Sequence, residues 1–321
     1  MGSGSYTTSS FVSYSTARGV SFDASTGRLD SKTSHQDIFK SKTIDPALNP
    51  KNVIRECCDS AEHLCTKPVI LALDITGSMG DAALEVAKSI NNIMTKLYDE
   101  VTDIQFMTMG IGDFAYDRCP LQVSQFESDI RIVEQMDKIY FEFGGGGNSF
   151  ESYTAAWKFG LDHTKLDCFD KRGQKGIIIT MGDERVNPYI ARDKWYNIVG
   201  DSLQADIETK ALYEEASKKF DIFHIHVNHH TFGYEDSVES FRQVLPIQHV
   251  FDCKVEEVGD TIVNIIKDTI ANRESFTVST AGDATIIIDD DRVCSTEATI
   301  TVPESLVEPS INRNSNGEIT W

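Results

Sequence analysis

Two short, continuously apolar runs, Val69-Ile70-Leu71-Ala72-Leu73 and Ile177-Ile178-Ile179, stand among stretches of helical periodicity, and this pattern constrains the chain most. A run of that length without polar alternation suits a strand buried on both faces. After the first run, Ala83, Val86, Ala87, Ile90, Ile93, Met94 and Leu97 fall on one side of a helix of about five turns. Further strands are expected over 104–111, 121–126, 222–227 and 249–251. Further helices are expected over 128–140, from Ser149, over 202–219 and over 255–272. Repeated strand–helix units with apolar strands predict an α/β fold: a doubly wound, mostly parallel central sheet with helices on both faces.

The flanks differ from this middle. Residues 1–50 hold 17 Ser or Thr and few periodic aliphatics, a composition suited to an extended arm that orders only against the rest of the protein. A short helical lead-in is expected over 51–66, with its helix from Asn52 to Leu64. The main domain then spans 67–272. Residues 273–321 read as a β-like C-terminal extension. There Thr285–Ile288 and Ala298–Val302 flank an acidic Asp289-Asp290-Asp291 turn and suggest a hairpin that pairs with the arm.

Charge narrows the function classes. Lys and Arg number 30 against 50 Asp and Glu, a formal charge of −20, which opposes binding to nucleic acid or to an anionic membrane. The same surface enriches divalent cations nearby. No apolar stretch is long enough to span a bilayer. The N-terminal residues show neither a basic region nor an apolar signal core. Seven cysteines without framework spacing are expected to be reduced thiols of a cytoplasmic protein. Cys57, Cys58, His63 and Cys65 form one tight cluster, but no second ligand pair follows at finger-like spacing, so ordinary residues are the expected reading. The same holds for His224, His226, His229 and His230 around a strand end.

The chemistry gathers where the first apolar run ends, in Asp74-Ile75-Thr76-Gly77-Ser78-Met79-Gly80. Ligands of an open parallel sheet bind just beyond the carboxyl ends of its strands. A carboxylate and two hydroxyls at alternate positions there can converge as the chain turns into the helix. Hard oxygen donors suit Mg²⁺, with Mn²⁺ or Ca²⁺ as alternatives. The plain alternative is helix capping by Asp74 or Ser78. Asp113 and Asp117 lie beyond the second strand and can approach the same edge.

These residues resemble the metal-ion-dependent adhesion site of von Willebrand factor A (vWA) domains, which opens with Asp-x-Ser-x-Ser; Thr76 keeps a hydroxyl where the commonest form has Ser. The resemblance covers about residues 67–272. It implies a second carboxylate after a later buried strand, and Ile179-Thr180-Met181-Gly182-Asp183 supplies Asp183. It also implies a ligand from a second loop. Gly144-Gly145-Gly146-Gly147-Asn148-Ser149-Phe150-Glu151 is similar to the Gly-Gly-Gly-Asp-x-Pro-Glu loop of intracellular members, with Asn148 in the place of the Asp and Ser149 as the neighbouring alternative. The implied metal ligands are therefore Asp74, Thr76, Ser78, Asn148 and Asp183.

As the resemblance implies, such a site grips a partner protein whose Asp or Glu completes the metal's coordination, and movement of the last helix couples to occupancy. Intracellular members pair with AAA+ ATPases of the MoxR or chelatase type, so an adaptor of such an ATPase is the implied role. No serine-hydrolase elbow, phosphate-cradling Gly-Lys loop or zinc-protease helix is present in the sequence, so a non-enzymatic binding module is expected. The alternatives are a metal-dependent phosphatase or other hydrolase, and a surface adhesin.

Overall fold

The computed structural model describes residues 4–142, 148–228 and 234–280. Six strands form the central sheet: β1 (Lys67–Asp74), β2 (Ile104–Ile111), β3 (Leu121–Val123), β4 (Gly176–Gly182), β5 (Phe220–Val227) and β6 (Val250–Cys253). Their order across the sheet is β6-β5-β4-β1-β2-β3, and every pairing is parallel except that of β3 with β2. The order reverses direction between β1 and β4. The fold class expected from sequence is the one observed, and its switch point lies where Asp74 ends β1.

The helices introduced here are α1 (Thr8–Ala17), α2 (Gly80–Tyr98), α3 (Arg131–Met136), α4 (Thr154–His163), α5 (Thr209–Ala216), α6 (Tyr234–Arg242) and α7 (Val258–Thr280). Successive side chains of β1 point to opposite faces of the sheet. Val69, Leu71 and Leu73 pack with the buried side of α2 and with Val258, Ile262 and Ile266 of α7. Ile70 and Ala72 pack on the other face with Ala156, Trp157 and Phe159 of α4. The apolar stripe of α2 that the sequence predicts, Ala83 to Leu97, is buried throughout.

The N-terminal arm is part of this core. Tyr6, Phe11, Val20, Leu29, Ile38 and Leu48 join the α2 face, and Phe11 is fully buried. Instead of an extended arm there is a helix, α1, whose Thr7 cap accepts the Ser10 N–H. Arg18 and the Tyr14 hydroxyl both reach Asp137. His63 ties down the arm's start through the Gly4 carbonyl at 2.9 Å and Ser128 at 3.0 Å.

Other expectations need correction. The helix expected over Asn52–Leu64 is absent. Arg55–Cys57 is a short strand paired in parallel with Thr164–Leu166, and Arg55 and Cys57 are buried with Glu56 between them partly exposed, a period of two. The long helix expected over 202–219 shrinks to α5. A separate helix, Arg192–Val199, precedes it and ends at Gly200 with φ of 104°, a backbone conformation that favours glycine. The expected helix over 128–140 contains one short α-helical segment, α3, flanked by turns. Cys65 is disulfide-bonded, so the reading of all seven cysteines as reduced thiols fails there; Cys57, Cys58, Cys119, Cys168 and Cys253 are free. Among the described residues no helix is long and apolar enough to cross a membrane. The Asp289–Asp291 turn, the two β-like segments around it, His229, His230 and the glycine run at 144–147 lie outside the described residues.

Candidate metal centre

Parallel pairing sets the level of each strand end. Leu73 stands opposite Met181 across β1 and β4, and Asp74 stands opposite Ile111 across β1 and β2. The residues just past Met181 therefore rise beside Asp74. Thr76 turns back on Asp74: its N–H and hydroxyl both donate to Asp74 Oδ1, at 2.8 Å and 2.6 Å. The Thr76 and Ser78 hydroxyl oxygens lie 3.5 Å apart. Ser78 Oγ in turn donates to Asp183 Oδ1 at 3.1 Å, a contact that spans 105 positions of sequence. Four of the five expected ligands thus form one chain of contacts over the switch point.

Asn148 belongs to a third segment. Phe150 and Glu151 pair in parallel with Arg185 and Val186, just after Asp183. Asn148 is exposed, and its Oδ1 accepts the Phe150 N–H at 3.1 Å, the arrangement of an Asx turn. The buried acid of this segment is Glu151, only 5% exposed, whose Oε2 has no hydrogen-bond partner. Glu151 belongs to the glycine-rich loop motif, yet nothing in its sequence spacing marks it as a site residue. Its neighbour Tyr153 falls in the helix expected from Ser149, with no sign in the sequence of a role at the site. In the structure Tyr153 is fully buried and its hydroxyl donates to Asp74 Oδ2 at 2.8 Å. Gly182 makes room for it: a Cβ there would run into the Tyr153 hydroxyl.

Negative charge is crowded here. Burial, then the carboxylate of Asp183, raise Asp74 to about 7 against the opposing hydrogen bonds of Thr76 and Tyr153. Burial raises Glu151 to about 10, with Asp74, Asp117, Asp113 and Glu184 adding to it. Glu184 is itself raised, by burial and then by Asp183. Asp113 and Asp117 do approach this edge. The Phe114 N–H donates to Ser152 Oγ at 3.0 Å, Asp117 Oδ2 accepts the Asp113 N–H at 2.7 Å, and Asp113 Oδ2 is buried without a partner. Buried carboxylates that repel one another are unfavourable unless protons or a cation offset them. Two carboxylates, two hydroxyls and a third, buried acid with an orphan oxygen form a donor set that fits a hard divalent cation. Among the described residues no group of three or more His, Cys, Asp or Glu side chains is itself arranged to hold a metal, so a cation here would draw on Thr76 and Ser78 as well as the acids.

The other candidates resolve as structure. His224 is fully buried, its ring stacked at 3.4 Å on Phe241 of α6 and its Nδ1 3.0 Å from Thr180 Oγ1. It is a core histidine under a covering helix, as expected. Cys57 lies in a buried strand, and His63 faces Asp103, Gly4 and Ser128.

No protein-family model matches the chain, and no curated protein matches it. Among solved structures it is similar to the pilus adhesin SpaC of Lactobacillus rhamnosus GG in an open conformation, at 13% identity and a TM-score of 0.45, over 69% of this chain and 31% of that one. It is also similar to the vWF domain of the type V pili tip protein Mfa5 of Porphyromonas gingivalis, at 11% identity and a TM-score of 0.42, over 64% and 96%. Proximal thread matrix protein 1 from the mussel byssus is similar at 12% identity and a TM-score of 0.41, over 65% and 48%. The chain spans less than a third of the SpaC adhesin. The fold is doubly wound α/β. That statement rests on the strand order and pairing within the chain itself.

Proposed function

We propose that this protein is a vWA-type binding module that holds a divalent cation, Mg²⁺ or failing that Mn²⁺ or Ca²⁺, at the β1/β4 switch point and uses it to grip an acidic side chain of a partner protein. The observation that carries this reading is the contact between Ser78 Oγ and Asp183 Oδ1. It joins the two loops that flank the switch point, where open α/β sheets bind their ligands.

Asp74, Thr76, Ser78 and Asp183 would hold the cation, with Asn148 or Ser149 as a donor from the third segment and Glu151 as a further, buried acid of that segment. The cation supplies an open coordination position for an Asp or Glu of the partner. The chain's own residues do the rest. Thr76 and Tyr153 engage both oxygens of Asp74 and so fix the carboxylate's orientation. Gly182 keeps the space that Tyr153 needs. A charge-assisted contact so placed gives an interface a strong central anchor.

No general base or nucleophile is needed for such a role, and the reading is of a binder rather than an enzyme. From the resemblance, the partner class is a protein ligand, with a MoxR-type AAA+ ATPase as the assembly it serves. Isothermal titration of the full chain with Mg²⁺ and Mn²⁺, beside Asp74→Ala and Asp183→Ala, tests the site. Saturable binding lost in both variants is expected; binding unchanged in both refutes it. Turnover of a generic phosphate ester in Mg²⁺ or Mn²⁺, abolished by Asp74→Ala, would establish the hydrolase alternative instead.

A further inference from the structure

Beside the candidate metal centre runs an open groove of about 910 Å³. Phe150 and Arg185, which pair across the two segments that flank the site, form its near wall. The Arg185 guanidinium lies over the Phe150 ring, 4.9 Å from its centre, and its Nε donates to the Ser149 carbonyl at 3.4 Å. The wall is therefore built from residues two positions from Asn148 and from Asp183. Farther along, Tyr189 stands half exposed at the rim, the kind of aromatic that anchors interfaces. The volume falls within the range of a specific ligand site, while the openness to solvent on one side suits a polypeptide better than a small molecule.

The charge along this groove is uneven. Its charged lining residues are Asp206, Glu208, Asp236 and Glu239 against Arg185 and Lys210. Asp206 is engaged, since its Oδ1 accepts the Arg192 N–H at 2.9 Å. Glu208, Asp236 and Glu239 are exposed. Arg185, two positions after Asp183, is spread over Phe150. Away from Arg185 the groove thus presents three exposed carboxylates, Glu208, Asp236 and Glu239, against one exposed base, Lys210.

We infer that this groove receives a basic, extended segment of the partner protein, adjoining the acidic residue that the metal holds. The inference rests on the proposed metal reading for the anchor, but the groove's preference for a base stands on its own residues. An acidic side chain at the metal and a Lys or Arg farther along then read one partner in two places. Matching charges in this way select partner and register more than they add affinity. A partner with acids on both sides of the anchor is repelled.

The test uses fluorescent synthetic peptides, each with a single Asp followed by a Gly/Ser spacer of varied length and then by either two lysines or two glutamates. Anisotropy with the full chain in Mg²⁺ and low salt is expected to favour the lysine peptide by about tenfold at the best spacer, with the preference shrinking as salt rises. Asp236→Lys combined with Glu239→Lys is expected to cancel or reverse it, and Glu208→Lys alone to weaken it. These positions are exposed, and melting of each variant checks that the fold is kept. Equal affinity for the two peptides, binding of neither, or a preference untouched by the charge reversals overturns the groove. Asp74→Ala or EDTA separates the two readings. Loss of affinity for both peptides supports the metal anchor. If the lysine preference persists at undiminished affinity there, the groove stands and the anchor fails. A small molecule that displaces the lysine peptide no better from wild type than from the double variant leaves the segment as the occupant; selective displacement from wild type by a basic small molecule alone, with no peptide preference, replaces it.

Discussion

Removing the Tyr153 hydroxyl, by Tyr153→Phe, takes away the hydrogen bond to Asp74 Oδ2 and leaves that oxygen without its donor in a fully buried position. Hydrogen bonds to charged groups are worth about 1.5–3 kcal/mol net. The bond favours the charged form of Asp74, so its loss raises Asp74 further above its present value of about 7. At about 1.4 kcal/mol per pKa unit, the lower bound is a rise of roughly one unit. At pH 7 the carboxylate fraction then falls from about one half to about one tenth. Only the carboxylate binds a cation, so apparent Mg²⁺ affinity at pH 7 drops about fivefold, and more at the upper bound. The loss is recovered as pH rises by one to two units, because the variant's carboxyl is then ionised as well. Calorimetric titration of wild type and variant across pH 6.5–9 measures this directly. Equal affinities with the same pH midpoint would refute the coupling between Tyr153 and the site. A fivefold loss that does not recover at high pH would assign Tyr153 a role in geometry instead of charge.

Three further outcomes follow from named contacts. Asp183→Asn removes the acid that raises Asp74, so the metal-free protein should melt no lower than wild type, while millimolar Mg²⁺ no longer raises its melting temperature; a retained Mg²⁺ shift in thermal unfolding counts against the site. Phe11→Ala empties a fully buried position where the arm meets the core and should cost about 3–5 kcal/mol in denaturant unfolding, whereas a loss below about 1 kcal/mol would mean that the arm is peripheral. Burial holds His224 well below the usual imidazole range, with His226 adding to it. The unfolded chain therefore takes up a proton that the native one refuses. Stability from this residue is intact above about pH 6.5 and is lost as pH falls below it, by up to about 1.4 kcal/mol per unit. Comparing urea midpoints of wild type and His224→Gln between pH 7 and pH 5 isolates it from the buried acids, whose raised values act in the opposite sense, and parallel pH profiles would show that His224 contributes nothing.

Much of the architecture is legible in local pattern. Val69–Leu73 and Ile177–Ile179 announce strands buried on both faces because such strands have no polar side to show. The α2 stripe is visible because one face of a helix must repeat every three to four residues. Asp74, Thr76 and Ser78 come together within one turn of chain, so their convergence follows from their spacing. The third corner was less legible. Asn148 caps its own segment, and the buried acid is Glu151.

What the sequence by itself determined, then, is the buried strands of the central sheet, the α2 stripe that covers them, and which oxygens stand at the end of β1. Apart from the meeting of Asp183 with the Asp74 loop, which the family resemblance implied, contacts between segments far apart in the chain came only from the tertiary structure. The arm's apolar residues, Tyr6, Phe11, Val20, Leu29, Ile38 and Leu48, are too widely spaced to show a period, yet each fills a place on the α2 face. Gly182 and Tyr153 are unremarkable alone; their meaning appears when β4 and α4 bring a missing Cβ against a hydroxyl. The physical reason is one of range. Side-chain alternation and helical repeat act over a few residues and leave a trace in the sequence, whereas the crossover that sets β4 beside β1 places Ser78 against Asp183 across 105 positions that carry no local sign of it.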